Sequence, residues 1–435
     1  MSTKQRLLSP PECVRGMTRL DKKLFDKTIS VPFVEVEVQQ MESAINCLKP
    51  FLLKLKNFNP IEEKSEENKR IIILNPELIS QFDDIIKENT KSKDVLDLCQ
   101  INELKFKDIV ITYDNYTHKE ILDSVLSRDG ESVDSVSSFS TIGHILHLNL
   151  REHNLPFKEV IGQVLLDKVP VAHMVVNKLK TIDSTYRNFE MEVLAKQSEE
   201  VNTIVKIKEC FTDFEFDFAK VYWNQRLGTE HERIQLKLNK GIDVLYDVFA
   251  GVGPFAIPAA KRRKCEVLAN DLNPECYKWL EHNRKLNKVE DRIKVYNMDG
   301  RHFIKTVVKE DLINRMNNFD GIEMSRRYHV VMNLPQLAIE FLDAFKGLLT
   351  SCQSIDNRII PVIHCYCFVK NEPKDGTLVV RKMTEEVLEH NLSDVLEIVN
   401  IRKVAPNKDM FRISFLMPEE VLYPKVDCIK RQRIQ

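Results

Sequence analysis

The second half of the sequence predicts an α/β fold, with a mainly parallel sheet covered by helices on both faces and closed by one antiparallel hairpin. From Ile242 onward, strand patterns alternate with helical patterns, as in "IDVLYDVFA" followed by "PFAIPAAKRR", and this alternation builds parallel sheets. The last two strand patterns, "VLEIVNIRKVA" and "MFRISFLM", are separated only by a short "PNKD" turn. A connection this short predicts an antiparallel hairpin, because a parallel crossover needs a dozen or more residues.

The elements of this sheet follow one another in a regular order. After the first strand and helix come the strand "CEVLAND", the helix "NPECYKWLEHNRKLN", the strand "RIKVYNMD" and another helix. The fourth and fifth strands are "YHVVMNLP" and "RIIPVIHCYCFV", with a helix predicted in "LAIEFLDAFKGLL" between them.

Smaller α+β modules are predicted ahead of the sheet. In the first, "VEVEVQQMESAINCLKPFLLKL" mixes a strand with an apolar helix, and "RIIILNP" is a buried strand. The charge run "EEKSEENKR" is typical of a solvated loop or helix face. The Ser-rich stretch "SRDGESVDSVSSFS" contains few large apolar residues and predicts a linker.

A second module follows the linker. Strands are predicted in "TIGHILHLNL", "VPVAHMVVNKL" and "FEFDFAKVYW", with a helix in "PFKEVIGQVLLDK" between the first two. The predicted division of the chain is therefore a first domain at 1–126, a linker at 127–139, an α+β module at 140–240 and the large sheet at 241–435.

Composition argues against a membrane protein and against a zinc protein. The 435 residues carry a net charge of −1 and contain no apolar run of the 18 or so residues that a membrane span needs. The ten cysteines form no C-x-x-C pair, and Cys365 and Cys367 alternate as buried thiols in an apolar strand, so we expect no metal.

Because the net charge is close to zero, any nucleic-acid site must be a local basic patch. "KRRK" at 261–264 and "KRQR" at 430–433 are candidates, with a charged helix end and a solvated tail as the alternatives.

A glycine turn lies between the first strand of the sheet and the helix that follows it. Gly251, Gly253 and Ala256 fit G-x-G-x-x-A, and Pro254 suits the first helical turn. Asp271 follows Gly251 by 20 residues, at the end of the next strand. This pattern alone is typical of dinucleotide binding, and the alternative is a tight turn beside an ordinary surface aspartate.

Three further features favour S-adenosyl-L-methionine over a dinucleotide. Asp299 and Gly300 end the third strand, where an acid can accept from an adenine amino group, and Asn333-Leu334-Pro335 ends the fourth. Open α/β sheets bind their ligands at these carboxyl ends. The terminal hairpin is the third feature, since dinucleotide oxidoreductases usually lack it. Together they predict a Rossmann-like class I methyltransferase.

Several stretches together carry a family resemblance. "YRNFEMEVLA", "FDFAKVYWNQRLGTEHERI", "YDVFAGVGPFAIPAA", "NDLNPE" and "VVMNLPQLAIEFLDAF" closely resemble the archaeal and eukaryotic tRNA methyltransferases that methylate N1 of guanine at tRNA position 37. The resemblance runs from about Ser140 to Phe345, extends thinly to "VRGMTRLDKKLFDKTI", and departs at Lys196, where the family usually has glycine. It implies a first domain that reads tRNA shape and a middle module that helps to build the guanine pocket.

The resemblance also implies roles for single residues. Guanine N1 must lose its proton before it attacks a sulfonium methyl group, which requires a base near N1 and a cation or donor near O6. Glu230 in "GTEHERI" is then the base and Arg187 in "YRNFE" the O6 partner. From composition alone, each is more simply a surface charge. His231 contacts the cofactor in this family, and the alternative is a half-buried histidine satisfied by backbone.

Other side chains complete the predicted site. Asn333 can read a guanine edge or orient the cofactor through its amide, and Pro335 fixes the turn that presents it. Tyr222 and Trp223 alternate in a predicted strand, so we expect one of them in the core and the other to stack on a base. The predicted catalytic residues are Glu230, Arg187 and Asn333. The predicted cofactor-binding residues are His231, Asp247, Gly251, Gly253, Asp271, Leu272, Asp299, Gly300, Asn333 and Pro335.

We therefore expect a methyltransferase that uses S-adenosyl-L-methionine to methylate N1 of guanine 37 in tRNA, acts as a monomer and uses neither a metal nor a membrane. By resemblance, its product supports reading-frame maintenance and begins the route to wyosine-type bases. The alternatives are another RNA base methyltransferase, a dinucleotide-dependent oxidoreductase and a catalytically silent RNA-binding protein. We expect it in the cytoplasm and nucleus. Lys4 and Arg6, with no acid in the first eleven residues, leave room for a mitochondrial matrix pool.

Overall fold

The computed structural model describes residues 7–63, 68–88, 96–99, 101, 103–127, 139–179, 190–318, 325–352, 358–370 and 375–424. The α-helices are α1 (Met41–Leu48), α2 (Phe82–Glu88), α3 (His118–Leu126), α4 (Lys158–Lys168), α5 (Gly228–Lys237), α6 (Ala256–Arg263), α7 (Pro274–Leu286), α8 (Gly300–Phe303), α9 (Lys309–Asn317), α10 (Gly376–Leu388) and α11 (Glu419–Leu422). The strands are β1 (Lys27–Glu37), β2 (Ile61–Glu63), β3 (Lys69–Ile73), β4 (Lys105–Ile111), β5 (Ser140–Ile142), β6 (Ile145–Leu148), β7 (Met174–Lys178), β8 (Met191–Lys196), β9 (Ile204–Glu209), β10 (Thr212–Asp217), β11 (Val244–Asp247), β12 (Glu266–Asn270), β13 (Ile293–Tyr296), β14 (Tyr328–Met332), β15 (Val362–Lys370), β16 (Val395–Ala405) and β17 (Lys408–Leu416). None of these helices is both long and apolar enough to span a membrane.

The described residues divide into two compact units, one up to Leu179 together with Met191–Val201, and one from Asn202 onward. The first unit holds two sheets, with the strand orders β2-β3-β1-β4 and β5-β6-β7-β8. The first sheet is antiparallel, and in the second β6 and β7 run parallel while the outer pairs are antiparallel. This is the α+β character that the sequence predicted for the first two modules.

One apolar core joins the two predicted modules of the first unit. Ile121 of α3 packs in the same cluster as Val160 and Ile161 of α4 and Val175 of β7. The strands between 140 and 178 therefore group with the first block in the packing, and the predicted domain boundaries at 126, 139 and 240 stay predictions. Residues 128–138, most of the predicted Ser-rich linker, lie outside the described residues.

The second unit is built on a seven-stranded sheet in the order β13-β12-β11-β14-β15-β17-β16. β11 pairs in parallel with β12 and β14, β12 with β13, and β14 with β15, whereas β17 runs antiparallel to both β15 and β16. The predicted parallel sheet closed by an antiparallel hairpin is confirmed. Because the parallel strands end at one edge, the loops that follow β11, β12, β13 and β14 lie together.

β9 and β10 form a separate two-stranded ribbon in the second unit. The backbone N–H of Glu215 donates to the side-chain oxygen of Asn283 on α7 (2.9 Å), and that of Asp213 donates to Asn287 (3.2 Å). Side-chain amides therefore satisfy backbone donors that β9 leaves unpaired, and they attach the ribbon to the large sheet's helices. The strand predicted in "FEFDFAKVYW" ends at Asp217, so it does not reach Tyr222.

Two other predicted elements differ from the structure. "LAIEFLDAFKGLL" winds as successive turns with a 3₁₀ helix at Glu340–Phe345. A three-residue repeat places Leu342, Phe345 and Leu348 on one side, and all three are buried in the core. The charge run "EEKSEENKR" begins in β2 and ends in β3, which pair with each other, and residues 64–67 between them lie outside the described residues.

Candidate active site

Four polar side chains lie where four parallel strands end. Asp247 is the last residue of β11, Asp271 follows β12 directly, Asp299 lies three residues beyond β13 and Asn333 follows β14 directly. All four are residues that the sequence predicted to bind a ligand. The topology brings them to the same edge of the sheet because their strands are neighbours and parallel.

The glycine turn joins β11 to α6. Gly251 and Gly253 have φ angles of +55° and +98°, which L side chains rarely adopt. A Cβ on Gly253 would lie 2.6 Å from Cγ1 of Ile257, so this glycine allows the turn to pack against its helix. A Cβ on Gly251 would meet nothing within 4 Å. Glycine at 251 therefore leaves open space beside the loop, where a ligand can approach the backbone.

The carboxylate of Asp271 holds the glycine turn in place. Its Oδ2 accepts from the N–H of Gly251 (2.8 Å) and its Oδ1 from the N–H of Asn273 (2.9 Å). Burial raises the pKa of Asp271, although hydrogen bonds from these two amides oppose the shift. Asp271 therefore shapes the turn directly, and its predicted contact with a cofactor stays a prediction.

Asp247 is a buried carboxylate without a side-chain partner. It is fully buried, and no side chain among the described residues donates to either of its oxygens, although the backbone amide of Phe249 favours its ionised form. Burial, and after it the charge of Asp271, raise the pKa of Asp247 well above its usual range. An unsatisfied buried polar group costs about 1–3 kcal/mol. The site therefore favours a ligand that brings a donor or a positive charge to Asp247.

These features fit S-adenosyl-L-methionine better than a dinucleotide. The ammonium, the ribose hydroxyls and the adenine amino group of S-adenosyl-L-methionine are all donors, and Asp247 and Asp271 are acceptors. A pyrophosphate at the same turn offers acceptors and no positive charge, so it would bring no donor to Asp247. In the part of the chain that the structure describes, no group of three or more His, Cys, Asp or Glu side chains could hold a metal ion, and the expectation of no metal remains a prediction.

The end of β13 is arranged as a helix start. Oδ1 of Asp299 accepts from the N–H of Arg301 (2.9 Å) and caps α8. Gly300 is buried behind it, and a Cβ there would lie 2.8 Å from the ring of Phe249. Leu272 at the end of β12 is 45% exposed. Asp299 is thus an exposed acid, and Gly300 beside it lets a ligand approach the backbone closely. Leu272 offers an apolar surface suited to a ring.

Asn333 provides a second unpartnered acceptor at this edge. Its Oδ1 is buried and has no hydrogen-bond partner among the described residues. The carbonyl of Pro335 accepts from the N–H of Phe368 on β15 (2.9 Å). The turn that presents Asn333 is therefore anchored to the neighbouring strand, which positions the amide for a ligand.

Glu230 lies in the first turn of α5 and is only 2% exposed, so it is not a surface acid. Its Oε1 accepts from the hydroxyl of Tyr366 (2.9 Å) and from Nε of Arg412 (2.5 Å). Its Oε2 accepts from Arg233 (2.5 Å), whose side chain is 43% exposed. Because Tyr366 and Arg412 are fully buried, the Oε2 side is where an incoming base can replace a partner.

His231 is buried and is held by a side chain. Its Nδ1 lies 2.6 Å from Oε1 of Glu209, and its ring packs edge-on against Phe255, with centroids 4.7 Å apart. The side-chain amide of Gln235 donates to the Phe255 carbonyl (3.0 Å). Phe255 directly precedes α6, so these contacts fix α5 against the glycine turn. The predicted contact between His231 and a cofactor stays a prediction.

Of the two predicted aromatic residues, one is buried and the other is exposed, as expected, although neither lies in a strand. Trp223 is 6% exposed and packs against Phe214 and Phe216, with ring centroids 5.4 and 5.0 Å apart. Tyr222 is 47% exposed and remains the candidate for stacking. The segment lies beyond β10, so the separation comes from its packing and not from strand alternation.

Other predicted positions have local explanations or lie outside the described residues. Lys261 donates to Asn287 (2.8 Å), and Arg263 donates to the carbonyl of Leu238 (3.0 Å). These contacts favour a charged helix end for "KRRK". Lys196 ends β8 opposite Met174. Arg187 and the "KRQR" run lie outside the described residues.

Sequence reasoning missed Asn270, Tyr366 and Arg412. The amide nitrogen of Asn270 donates to the carbonyls of Val248 and Met298 (3.1 and 3.0 Å) and so ties three strand ends together. Tyr366 and Arg412 hold Glu230. The available signal for these two was a pair of polar residues two positions apart in each of "VIHCYCFV" and "FRISF", which is unusual in strands buried on both faces.

Two family models and several known proteins match this chain. Residues 203–391 match the family described as the TRM5/TYW2 methyltransferase domain, and residues 118–197 match the TYW2 N-terminal domain. The chain is 46% identical over 428 residues to the tRNA (guanine(37)-N(1))-methyltransferase of Danio rerio, an alignment that covers 96% of this chain and 85% of that protein. It is 45% identical to the Homo sapiens protein of the same name, with 96% and 79% covered.

Solved structures support the fold. "The complex structure of aTrm5 and tRNALeu" is similar with a TM-score of 0.60 and 24% identity, covering 89% of this chain and 99% of that one. Trm5b from Pyrococcus abyssi is similar with a TM-score of 0.54 and 23% identity, covering 88% and 98%. At these identities the likeness concerns the fold alone.

Proposed function

Because the chain belongs to the family of tRNA (guanine(37)-N(1))-methyltransferases, we propose that it transfers the methyl group of S-adenosyl-L-methionine to N1 of guanine 37 in tRNA. The observation that carries the mechanism is Glu230, a buried carboxylate with one half-exposed partner. It lies on the helix that is packed against the glycine turn through Phe255.

The protein's part in the reaction is proton removal and charge balance. S-adenosyl-L-methionine, when bound, supplies an electrophilic methyl group. Guanine N1 holds a proton at neutral pH, so a base must remove it, and the negative charge that remains spreads to O6. We assign Oε2 of Glu230 as the atom that takes the proton from guanine N1. Arg233 contacts this oxygen and can withdraw from it when guanine binds.

The remaining partners of Glu230 keep it in place during this step. Tyr366 and Arg412 both contact Oε1, and both are fully buried. They orient the carboxylate, while Oε2 stays available for guanine. Arg187 balances the charge at O6. Oδ1 of Asn333 accepts from the substrate, whose exocyclic amine is a donor of the kind that this oxygen lacks.

The residues that would hold S-adenosyl-L-methionine surround the glycine turn. Asp247 offers a carboxylate without a side-chain partner for the ammonium, and Gly251 leaves the loop backbone open. Asp271, Asp299 and Leu272 supply acceptors and an apolar surface for the nucleoside. His231 acts through Phe255, against which its ring packs.

Glu230→Gln tests the proposal directly. The amide preserves size and shape but does not take up the N1 proton as a carboxylate does, so the single-turnover methyl-transfer rate should fall by about 10²–10⁴. The loss should shrink as the pH rises, because guanine N1 then ionises without help. Arg187→Ala removes a charge that stabilises the deprotonated base, so raising the pH should rescue it less.

Glu232→Gln is the matched control, since Glu232 lies on the same helix but is exposed. It should keep the wild-type rate at every pH. A Glu230→Gln enzyme that methylates guanine at the wild-type rate near neutral pH would remove Glu230 as the base.

Substrate, assembly and compartment complete the proposal. The relatives' names specify guanine 37 of tRNA, and methylation there supports the reading frame and supplies the precursor of wyosine-type bases. We propose a monomer without a metal, located in the cytoplasm and nucleus with a mitochondrial matrix pool. Light scattering of the purified protein tests the assembly, and tagged full-length protein followed in cells tests the compartment.

A further inference from the structure

One face of the antiparallel part of the large sheet is both buried and polar. Cys365 of β15 and Ile413 of β17 pack in the apolar core. Their neighbours His364, Arg412 and Ser414 project from the opposite face, because side chains alternate along a strand. All three are at most 1% exposed. This face therefore buries polar groups that need partners within the protein.

These polar groups form one continuous chain of hydrogen bonds across three strands. Arg412 donates through Nη1 to Oγ of Ser414. That Oγ lies 2.8 Å from Nδ1 of His364, whose Nε2 lies 3.0 Å from Nδ1 of His329 on β14. Nε2 of His329 lies 3.2 Å from Oδ2 of Asp243. The chain thus runs from Asp243, just before β11, to the arginine that contacts Glu230.

The groups at the two ends determine which atoms donate and which accept along this chain of hydrogen bonds. Arginine can only donate, and an ionised aspartate can only accept. Burial opposes the ionisation of Asp243, but hydrogen bonds from His329 and from backbone amides hold its pKa below the usual range. Burial is the largest cause that holds the pKa of His364 well below its usual value, and the nearby charge of Arg412 acts in the same direction. Every ring nitrogen is satisfied when Ser414 donates to His364, His364 donates to His329, and His329 donates to Asp243.

The same arginine connects both ends of α5 to the sheet. Nε of Arg412 donates to Glu230 in the first turn, and Nη1 donates to Glu397. Glu397 also accepts from Lys237, the last residue of α5 (2.6 Å). A buried ion pair is weak evidence for stability, because desolvation can exceed the Coulombic gain and apolar replacements are often neutral or stabilising. The arrangement therefore calls for an explanation other than stability.

We propose that Arg412 is a positioning residue for Glu230 and that the chain Asp243–His329–His364–Ser414 fixes the guanidinium in the orientation that aims the carboxylate at guanine N1. The inference rests on the proposed role of Glu230 as the base. Arg412 itself does not touch the substrate. It restrains Oε1 and thereby leaves Oε2 facing the incoming nucleobase.

Ser414→Ala tests the chain, because it removes one link and keeps both ion pairs of Arg412. Misplacement of a catalytic group by a fraction of an ångström slows a reaction steeply, so we expect the single-turnover methyl-transfer rate to fall by about 10- to 100-fold. The affinity for S-adenosyl-L-methionine should not change.

Thr384→Val is the matched control. Thr384 is a fully buried hydroxyl in the same unit, and it donates to the carbonyl of Val380 on its own helix (2.9 Å). Both variants should lower the unfolding midpoint by a similar few degrees, but only Ser414→Ala should slow methyl transfer at an unchanged affinity for S-adenosyl-L-methionine. Equal methyl-transfer rates for the two variants would overturn the proposal.

Adding Glu230→Gln separates this inference from the proposed function. If the chain acts through Glu230, Ser414→Ala should cause no further loss in the Glu230→Gln background. Additive losses would show that Ser414 acts by another route and would overturn the positioning role while leaving the base intact. A wild-type rate for Glu230→Gln alone would instead remove the base, whatever Ser414→Ala does.

Discussion

At the scale of single residues, two buried carboxylates in this site have opposite surroundings. Asp247 has no side-chain partner on either oxygen among the described residues, whereas Glu230 has side-chain partners on both. A buried acceptor without a donor is stabilised by a ligand that brings one. A carboxylate held on one oxygen and half-open on the other is suited to a directed proton transfer. The two environments separate ligand binding from proton removal.

Asp247→Asn should weaken the binding of S-adenosyl-L-methionine and abolish a proton release that accompanies it. The pKa of Asp247 is raised in the free protein, and a bound ammonium favours the ionised form, so binding expels a proton and affinity should rise with pH. Calorimetry in buffers of different ionisation enthalpy measures that proton directly. Asp291→Asn, at the amino end of β13, should leave both quantities unchanged. Wild-type affinity and proton release in Asp247→Asn would exclude the aspartate from the site.

At the scale of elements, α7 connects the β9–β10 ribbon to the glycine turn. Oδ1 of Asn283 accepts from the N–H of Glu215 in β10 (2.9 Å), and its Nδ2 donates to the carbonyl of Val252 (3.1 Å). Asn283 is fully buried. One side chain therefore satisfies a strand edge and a loop carbonyl at once, and it couples the ribbon to the cofactor turn.

Asn283→Ala should destabilise the second unit and weaken cofactor binding together. It leaves the partly buried N–H of Glu215 and the buried carbonyl of Val252 without these partners, at a cost of up to about 1–3 kcal/mol for each group. Urea unfolding with and without S-adenosyl-L-methionine measures both effects, because a ligand stabilises the native state according to its affinity. Asn391→Ala, at an exposed position in the same unit, serves as the control. Reduced stability with unchanged affinity would limit Asn283 to a structural role.

The sheet could be predicted from the sequence because the patterns that specify its strands and turns are local in the sequence. Apolar strand patterns alternate with helical ones, and the short "PNKD" turn admits only a hairpin. The side chains at the strand ends followed from the same pattern. Arg412 and Tyr366 could not be placed in this way, because they reach Glu230 across 182 and 136 residues. Nothing near "FRISF" indicates that its arginine faces a carboxylate on α5.

At the scale of the whole molecule, each compact unit has its own apolar core. The large sheet, the glycine turn, Glu230 and Asn333 all belong to the second unit. The net charge of the chain is −1, so attraction to the tRNA backbone must come from local basic surfaces. Cofactor binding and tRNA binding should therefore be separable by truncation.

Fragments that begin at Asn202 and at Lys180 form a pair in which the longer one adds Arg187 and Met191–Val201 of the first unit. Both should fold and bind S-adenosyl-L-methionine as the full chain does, since the sheet and its core are complete from Asn202 onward. Both should bind tRNA more weakly.

The affinity of the fragments for tRNA should also depend less steeply on salt. In a plot of the logarithm of affinity against the logarithm of salt concentration, the slope should be smaller by about one for every tRNA phosphate that the first unit neutralises in the full chain. Filter binding across a salt series measures the slope. A fragment with the affinity and slope of the full chain would show that the first unit makes no contact with the tRNA backbone, and recognition of tRNA would then have to lie within the methyltransferase sheet and its loops.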